Sequence, residues 1–262
     1  MMFLLIFRFT LYIIFLWGDY FMDLNTETQN NNNIPINKLT NEITDSNDVE
    51  IQRLTNELAK VNQELANAYL DSIETLRTTV EAKDPYTRGH SDRVAAYSVL
   101  LGKKLGLTEE DLKTLQIGGL FHDIGKIGIT DNILLKDERL TDEEYSEIKN
   151  HPEIGVTILS KSKIFTNILP IVQHHHEKYD GTGYPGQLSG ASIPFLARIV
   201  SIADSFDAMA SQRPYRYSLS VELIKRELEK NKNSQFDPEI CDKFIQILEE
   251  DFNSIADIQS KF

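Results

Sequence analysis

The sequence predicts an all-α fold: a helical domain preceded by a short coiled-coil helix. Three observations carry this expectation. No stretch sustains the two-residue alternation of a half-buried strand. Apolar side chains instead recur at helical spacing, first at Ile51, Leu54, Leu58, Val61 and Leu65 and then through most of the chain. Helix boundaries punctuate those runs. Thr108 with Asp111 and Thr141 with Glu144 form capping boxes, Gly106 ends one helix, and Pro238 opens the last.

Composition limits what such a fold can do. The length of 262 residues allows one domain with appendages, or two small domains. A net charge of −13 argues against broad binding of a nucleic-acid polymer, which needs a basic face. It leaves room for a small anionic ligand, because bound cations and a few arginines reverse the sign locally. The one cysteine, Cys241, excludes an internal disulfide and a thiolate cluster, so any metal site must be built from His and carboxylates.

Taken in order, residues 1–22 form a hydrophobic N-terminal segment. From Met1 to Trp17 the one charge is Arg8, and Trp17 and Tyr20 suit a membrane interface. Three readings stay open: a membrane anchor over residues 1–17, a secretion signal, or untranslated sequence upstream of a start at Met22. Residues 23–47 are polar, include the run Asn30 to Asn33, and read as a disordered linker. Residues 48–66 carry the seam Ile51, Leu54, Leu58, Val61 and Leu65, which suits a parallel dimer. The apolar stripe then shifts to Tyr69, Ile73, Leu76 and Val80, as a stutter would produce. Residues 67–262 make the helical domain, with helices over Arg93–Leu105, Tyr145–Asn150, Leu196–Met209, Val221–Lys230 and from Pro238 to Leu248. The loop from Asp180 to Pro194 interrupts it, with Gly181, Gly183, Gly186 and Gly190 beside Pro185. A loop this long in a compact domain is usually functional.

The histidines point to chemistry. His122-Asp123 lies in an apolar helical run that ends in a Gly125-Lys126 turn, a costly setting for polar groups unless a cation offsets the desolvation. Neighbouring helical side chains diverge by about 100°, so the pair suits two sides of a metal centre, with Asp123 able to bridge. His90 and His151 open helices, His174, His175 and His176 run together, and Asp204 stands in the apolar stretch Ile199 to Phe206. Three consecutive histidines cannot all face one centre, so one belongs outside it. Five separated elements each supply a buried donor, as a carboxylate-bridged dinuclear site requires.

The chain from about Asn67 to Leu248 resembles an HD-GYP domain, a subgroup of the HD metal-dependent phosphohydrolases. The strings that carry the resemblance are Lys83 to Ser91, His122-Asp123-Ile124-Gly125-Lys126, His151-Pro152-Glu153-Ile154-Gly155, and His175-His176-Glu177. They continue with Asp180-Gly181-Thr182-Gly183-Tyr184-Pro185, Ile193 to Ile199, Asp204, Arg213-Pro214-Tyr215-Arg216, and Phe236-Asp237-Pro238. The resemblance implies hydrolysis of cyclic di-GMP to pGpG or onward to GMP at a site of two divalent ions; iron or manganese is expected, although other divalent ions also accept His and carboxylate ligands. It implies that His90, His122, Asp123 and Asp204 hold one metal, that His151, His175, His176 and the bridging Asp123 hold the other, and that His174 holds neither. Some members hold a third metal with a Glu that corresponds here to Tyr86, a poor ligand; a dinuclear site and pGpG as main product are expected. Lys126 would reach the phosphate or the departing 3′-oxygen, and Arg213 and Arg216 would bind phosphate or guanine. Tyr184 and Pro185 would shape the loop beside the ligand, and Gly181 and Gly183 would permit its tight turns. The chain is then expected to be cytoplasmic, held at the inner face of the membrane if residues 1–17 anchor it. The rivals are an HD phosphohydrolase for another nucleotide and a catalytically silent cyclic di-GMP receptor.

Overall fold

The computed structural model describes residues 36–83, 89–211 and 219–262. The N-terminal segment 1–22, the first part of the linker, Tyr86, Arg213 and Arg216 lie outside the described residues. The chain divides into two units, Met1–Asn67 and Ala68–Phe262.

Helix α1, Ile36–Lys83, is longer than the coil expected over residues 48–66. It begins within the stretch expected to be a disordered linker. Polarity alone made that stretch read as linker, yet no Gly or Pro interrupts it from Ile36 to Lys83. The seam Ile51, Leu54, Leu58, Val61 and Leu65 lies 50 to 67% exposed. The second stripe behaves differently: Ile73 and Val80 are buried, with Tyr69 and Leu76 beside them, against Phe121, Ile124, Leu159, Phe165, Ile168 and Val172. The shift of stripe therefore marks where the helix begins to serve the domain core.

In the second unit α2 spans His90–Lys104, α3 Glu109–Phe121, α4 Asp131–Leu134, α5 Asp142–Ile148, α6 His151–Leu159 and α7 Leu169–His174. Then follow α8 Phe195–Ala210, α9 Val221–Lys230, α10 Pro238–Glu250 and α11 Phe252–Lys261. Short 3₁₀ turns occupy Ile124–Gly128, Lys163–Ile168 and Gly190–Ser192. No strand occurs among the described residues; two isolated bridges, one of them Asp180 with Ser189, are the whole of the extended pairing there. The fold is all-α, as expected. A main core gathers Val94, Tyr97, Leu101, Leu115, Ile199, Ile202, Phe206 and Phe244 from α2, α3, α8 and α10.

The caps hold two of these helices as the sequence dictates, with one difference. At α5 the Thr141 hydroxyl accepts from Glu144 N at 3.2 Å while Glu144 reaches back to Thr141 N at 2.8 Å. At α3 Thr108 accepts from Asp111 N, but the shorter Asp111 carboxylate takes the Thr108 hydroxyl at 2.7 Å. One side-chain methylene decides which group it can reach.

Candidate metal centre

The centre forms where the first turns or last turns of α2, α3, α6 and α7 meet the middle of α8. His90 opens α2, after Gly89 at φ 71°. His122 caps the C-terminus of α3, and Asp123 follows at φ −99°, ψ 7°, in the bridge region where many active-site residues sit. The pair was expected inside one helical run. It stands instead at the junction between α3 and the 3₁₀ turn Ile124–Gly128. The cause is close packing: a Cβ on Gly125 would lie 1.8 Å from the carbonyl oxygen of His151, so only glycine lets that turn lie on the start of α6.

This junction aims the Asp123 carboxylate between the histidines. Its Oδ1 lies 3.2 Å from His151 Nε2 and 3.8 Å from His175 Nε2, and its Oδ2 lies 3.4 Å from His122 Nε2. Two donor groups result, Asp123 with His151, His175 and His176, and His90 with His122 and Asp204; within each, the ligand atoms lie inside 4.8 Å of one another. Arg198, on the same helix as Asp204, pairs with Asp237. Asp204 Oδ1 lies 3.3 Å from His90 Nε2. His174 falls outside both groups, with its Nδ1 3.4 Å from Glu177 Oε1.

The tautomers follow from the hydrogen bonds. His122, His151 and His175 each donate Nδ1–H to a backbone carbonyl three residues earlier, those of Gly119, Ile148 and Val172, at 2.7, 2.8 and 3.0 Å. Each neutral ring therefore keeps its proton on Nδ1 and turns a bare Nε2 lone pair into the centre. His151 Nε2 and His175 Nε2 face each other at 3.3 Å. Two lone pairs at that distance repel unless a cation lies between them. His122 Nε2 and Asp123 Oδ1 are buried with no hydrogen-bond partner. Buried polar atoms left so are rare, and a divalent cation is what this donor set of imidazoles and carboxylates fits.

At His175 and His176 the electrostatics agree. Burial pushes His175 down to about 4 and holds it neutral, as a ligand must be. Burial also takes His176 well below its ordinary value. Burial would lower His90 too, but the Asp204 and Asp207 carboxylates more than offset it and raise it to about 9. Burial opposes ionisation of Asp123 and Asp204, yet their cationic and imidazole neighbours hold both well below the usual carboxylate range. Lys126 Nζ lies 2.7 Å from Asp123 Oδ2, so its charge is engaged with a candidate ligand in this structure.

Sequence reasoning missed two residues that position the rest. Asp207, buried on α8 one turn after Asp204, accepts from His90 Nδ1 at 2.8 Å and from Arg93 at 2.6 and 2.9 Å. The three-residue step from Asp204 along an apolar helix was the available signal. Glu177, also buried, accepts from Gly186 N at 2.6 Å and Leu188 N at 3.1 Å, and so ties the glycine-rich loop to the end of the His run. Gly183 serves that fold-back by close approach, since a Cβ there would lie 2.3 Å from Lys178 N. It has no positive φ, unlike Gly181 at 82°, so of the two glycines expected to permit tight turns Gly181 does so through a left-handed backbone and Gly183 through close approach. Tyr184, joined to Pro185 by a cis peptide bond, sets its ring 4.9 Å from that of His176.

Comparison with known proteins agrees with this architecture. The family profile described as HD domain matches residues 74–240. The chain is 38% identical over 182 residues to 3′3′-cGAMP-specific phosphodiesterase 3 of Vibrio cholerae, covering 69% of this chain and 40% of that protein. It is 38% identical over 189 residues to a cyclic di-GMP phosphodiesterase of Thermotoga maritima, covering 71% and 51%. The chain thus spans about half the length of the curated relatives it matches. Among solved structures it resembles Bd1817, an HDG"Y"P protein of Bdellovibrio bacteriovorus, at 25% identity and a TM-score of 0.51 over 61% of this chain and 51% of that one. With the profile match covering more than half its length, the chain belongs to the HD-domain family.

Proposed function

We propose that this chain is a metal-dependent phosphodiesterase that hydrolyses cyclic di-GMP, with pGpG as principal product. One observation carries the reading: the bare Nε2 atoms of His151 and His175 face each other at 3.3 Å beside the Asp123 carboxylate. His90, His122, Asp123 and Asp204 would hold one divalent ion, and Asp123, His151, His175 and His176 a second, with iron or manganese the expected metals. Ions there supply charge against the phosphate's non-bridging oxygens and draw the pKa of a water towards neutrality.

The chain's own residues do the rest. The carbonyls of Gly119, Ile148 and Val172 fix three imidazoles in the ligand tautomer, and Asp207 fixes His90. Lys126, 2.7 Å from Asp123 Oδ2, would present a proton-bearing cation to the reacting phosphate or to its departing 3′-oxygen. Arg213, Arg216, Tyr184, Pro185 and Gly183 would line the substrate side. The chain works in this reading as a cytoplasmic homodimer joined through residues 48–66, with residues 67–262 as the catalytic domain and residues 1–17 at the inner face of the membrane where they are translated.

A second reading is specific hydrolysis of 3′3′-cGAMP, favoured by the 38% identity to a relative named for that activity. Metal analysis and product chromatography on the anaerobically purified full chain test both. Expected are about two metals per chain and pGpG from cyclic di-GMP, with GMP appearing slowly. Preference for 3′3′-cGAMP selects the second reading. A fully metallated chain that turns over no cyclic dinucleotide overturns both in favour of a receptor.

A further inference from the structure

A cyclic dinucleotide carries two phosphates and two bases, and a metal centre engages one phosphate. The other phosphate and an adjacent base need a cation and an aromatic face at the rim. Such a pair lies beside the centre on residues that no part of the phosphodiesterase reading uses. On α5 and the turn after it, Lys149 Nζ lies 4.6 Å from the ring centroid of Tyr145, four residues earlier. The same ammonium lies 5.9 Å from the ring of Tyr184. Tyr184 in turn tilts by 30° against His176, one of the candidate ligands, at 4.9 Å between centroids. The path from metal ligand to surface is therefore continuous: His176, Tyr184, Lys149, Tyr145.

Two properties separate this rim from an ordinary surface pair. Lys126 and Lys136 have their charges met by Asp123 and Glu144 at 2.7 Å. No carboxylate among the described residues lies within ion-pair distance of Lys149, whose neighbours are π faces. Its charge is held in place yet left for an anion. Tyr145, for its part, is 46% exposed despite its large ring. Aromatic faces open in this way stack bases irrespective of sequence, and a lysine beside them neutralises phosphate as a point charge.

We propose that Tyr145 and Lys149 form, with Tyr184, a subsite for one purine base and the second phosphate of a cyclic purine dinucleotide. The proposal rests on the phosphodiesterase reading for its substrate class. Tyr145 stacks the base outside the centre, and Lys149 meets the phosphate that the metals do not hold. Both act on binding and orientation, so they act on KM more than on kcat.

The test uses the metallated full chain with Tyr145→Ala, Tyr145→Phe and Lys149→Gln, each checked for helicity and metal content. KM for cyclic di-GMP should rise about tenfold in Tyr145→Ala, with a smaller change in kcat. Tyr145→Phe should restore it, and Lys149→Gln should raise KM while weakening its dependence on salt. Tyr145→Leu replaces Tyr145→Ala if the latter fails to fold. Unchanged KM in Tyr145→Ala and Lys149→Gln, with wild-type turnover intact, overturns the subsite and leaves the phosphodiesterase reading standing. If the wild type turns nothing over, equilibrium dialysis with labelled cyclic di-GMP decides. Weaker binding by both variants supports the subsite, and equal binding or none at all by the wild type overturns it.

Discussion

At the residue scale the centre is made by where protons cannot go. His122, His151 and His175 spend their Nδ1 protons on carbonyls, and their Nε2 atoms have no proton left to share. His90 differs, because its Nδ1 meets a carboxylate: Asp207, itself clamped by Arg93. A carboxylate behind a ligand histidine raises its basicity and fixes its plane. Asp207→Asn keeps the shape and removes the charge, so metal affinity should fall about 10- to 100-fold while the helical spectrum stays unchanged. Competition with a chelator of known affinity measures it, and equal retention by variant and wild type would show that His90 needs no anionic support. A second residue reports on the core. Burial pushes the Cys241 thiol from 9.0 up to about 12. Below about pH 9 folded and unfolded chains both carry the thiol; above it only the unfolded chain ionises, so stability drains away as pH rises towards 12. Between pH 9 and 11 the wild type should lose more urea resistance than Cys241→Ala, whose lost side chain is a pH-independent offset. Parallel losses would contradict the burial argument.

At the element scale the histidine donors were legible and their supports were not. The residue types of His122 and Asp204 announce their chemistry because they stand in apolar runs, and those of His90, His151 and His175 do so by their placement at helix starts and in a run of histidines. Backbone carbonyls carry no such mark, so the atoms that fix the tautomers could not be read from the chain. Asp207 looked like one more helical acid until α2 was packed against α8. The His122-Asp123 pair was visible, but its setting depended on a tertiary contact, the 3₁₀ turn Ile124–Gly128 against the start of α6. Gly125→Ala tests that contact. Its Cβ would lie 1.8 Å from His151 O and 2.6 Å from Gly155 N, both backbone atoms that cannot swing aside. Overpacking of this kind costs about 3 kcal/mol, and the shift it forces separates Asp123 from His151. The variant should denature at lower urea and bind metal poorly. A stable variant with wild-type metal content would mean that the turn relaxes without disturbing Asp123.

At the scale of the whole molecule the unpartnered feature is the seam of α1. Ile51, Leu54, Leu58, Val61 and Leu65 lie 50 to 67% exposed on a helix whose next stripe is buried in the domain. Among the described residues no helix is long and apolar enough to cross a membrane, so that seam does not read as a span. With Ile51, Leu58 and Leu65 at a positions and Leu54 and Val61 at d, the g positions are Glu50, Glu57 and Glu64, and the e positions include Thr55 and Asn62. An antiparallel pair would face g against g and set glutamates together. A parallel pair faces g against e, where Thr and Asn are neutral. Within one helix Arg53 already lies 2.8 Å from Glu50 and 3.4 Å from Glu57, which moderates that column of charge. A parallel dimer is therefore the arrangement the charges permit. Leu54→Asp with Leu58→Asp should give a monomer in light scattering with metal content unchanged. Orientation needs a separate reading, and the end of the seam supplies it. In a parallel pair Ile51 faces its own mate, whereas an antiparallel pair would set it near Leu65. Ile51→Cys should thus form a disulfide-linked dimer under mild oxidation, the native Cys241 being buried. Cross-linking of Ile51→Cys only when combined with Leu65→Cys would reverse the orientation, and a dimer surviving both aspartates would remove α1 from the interface.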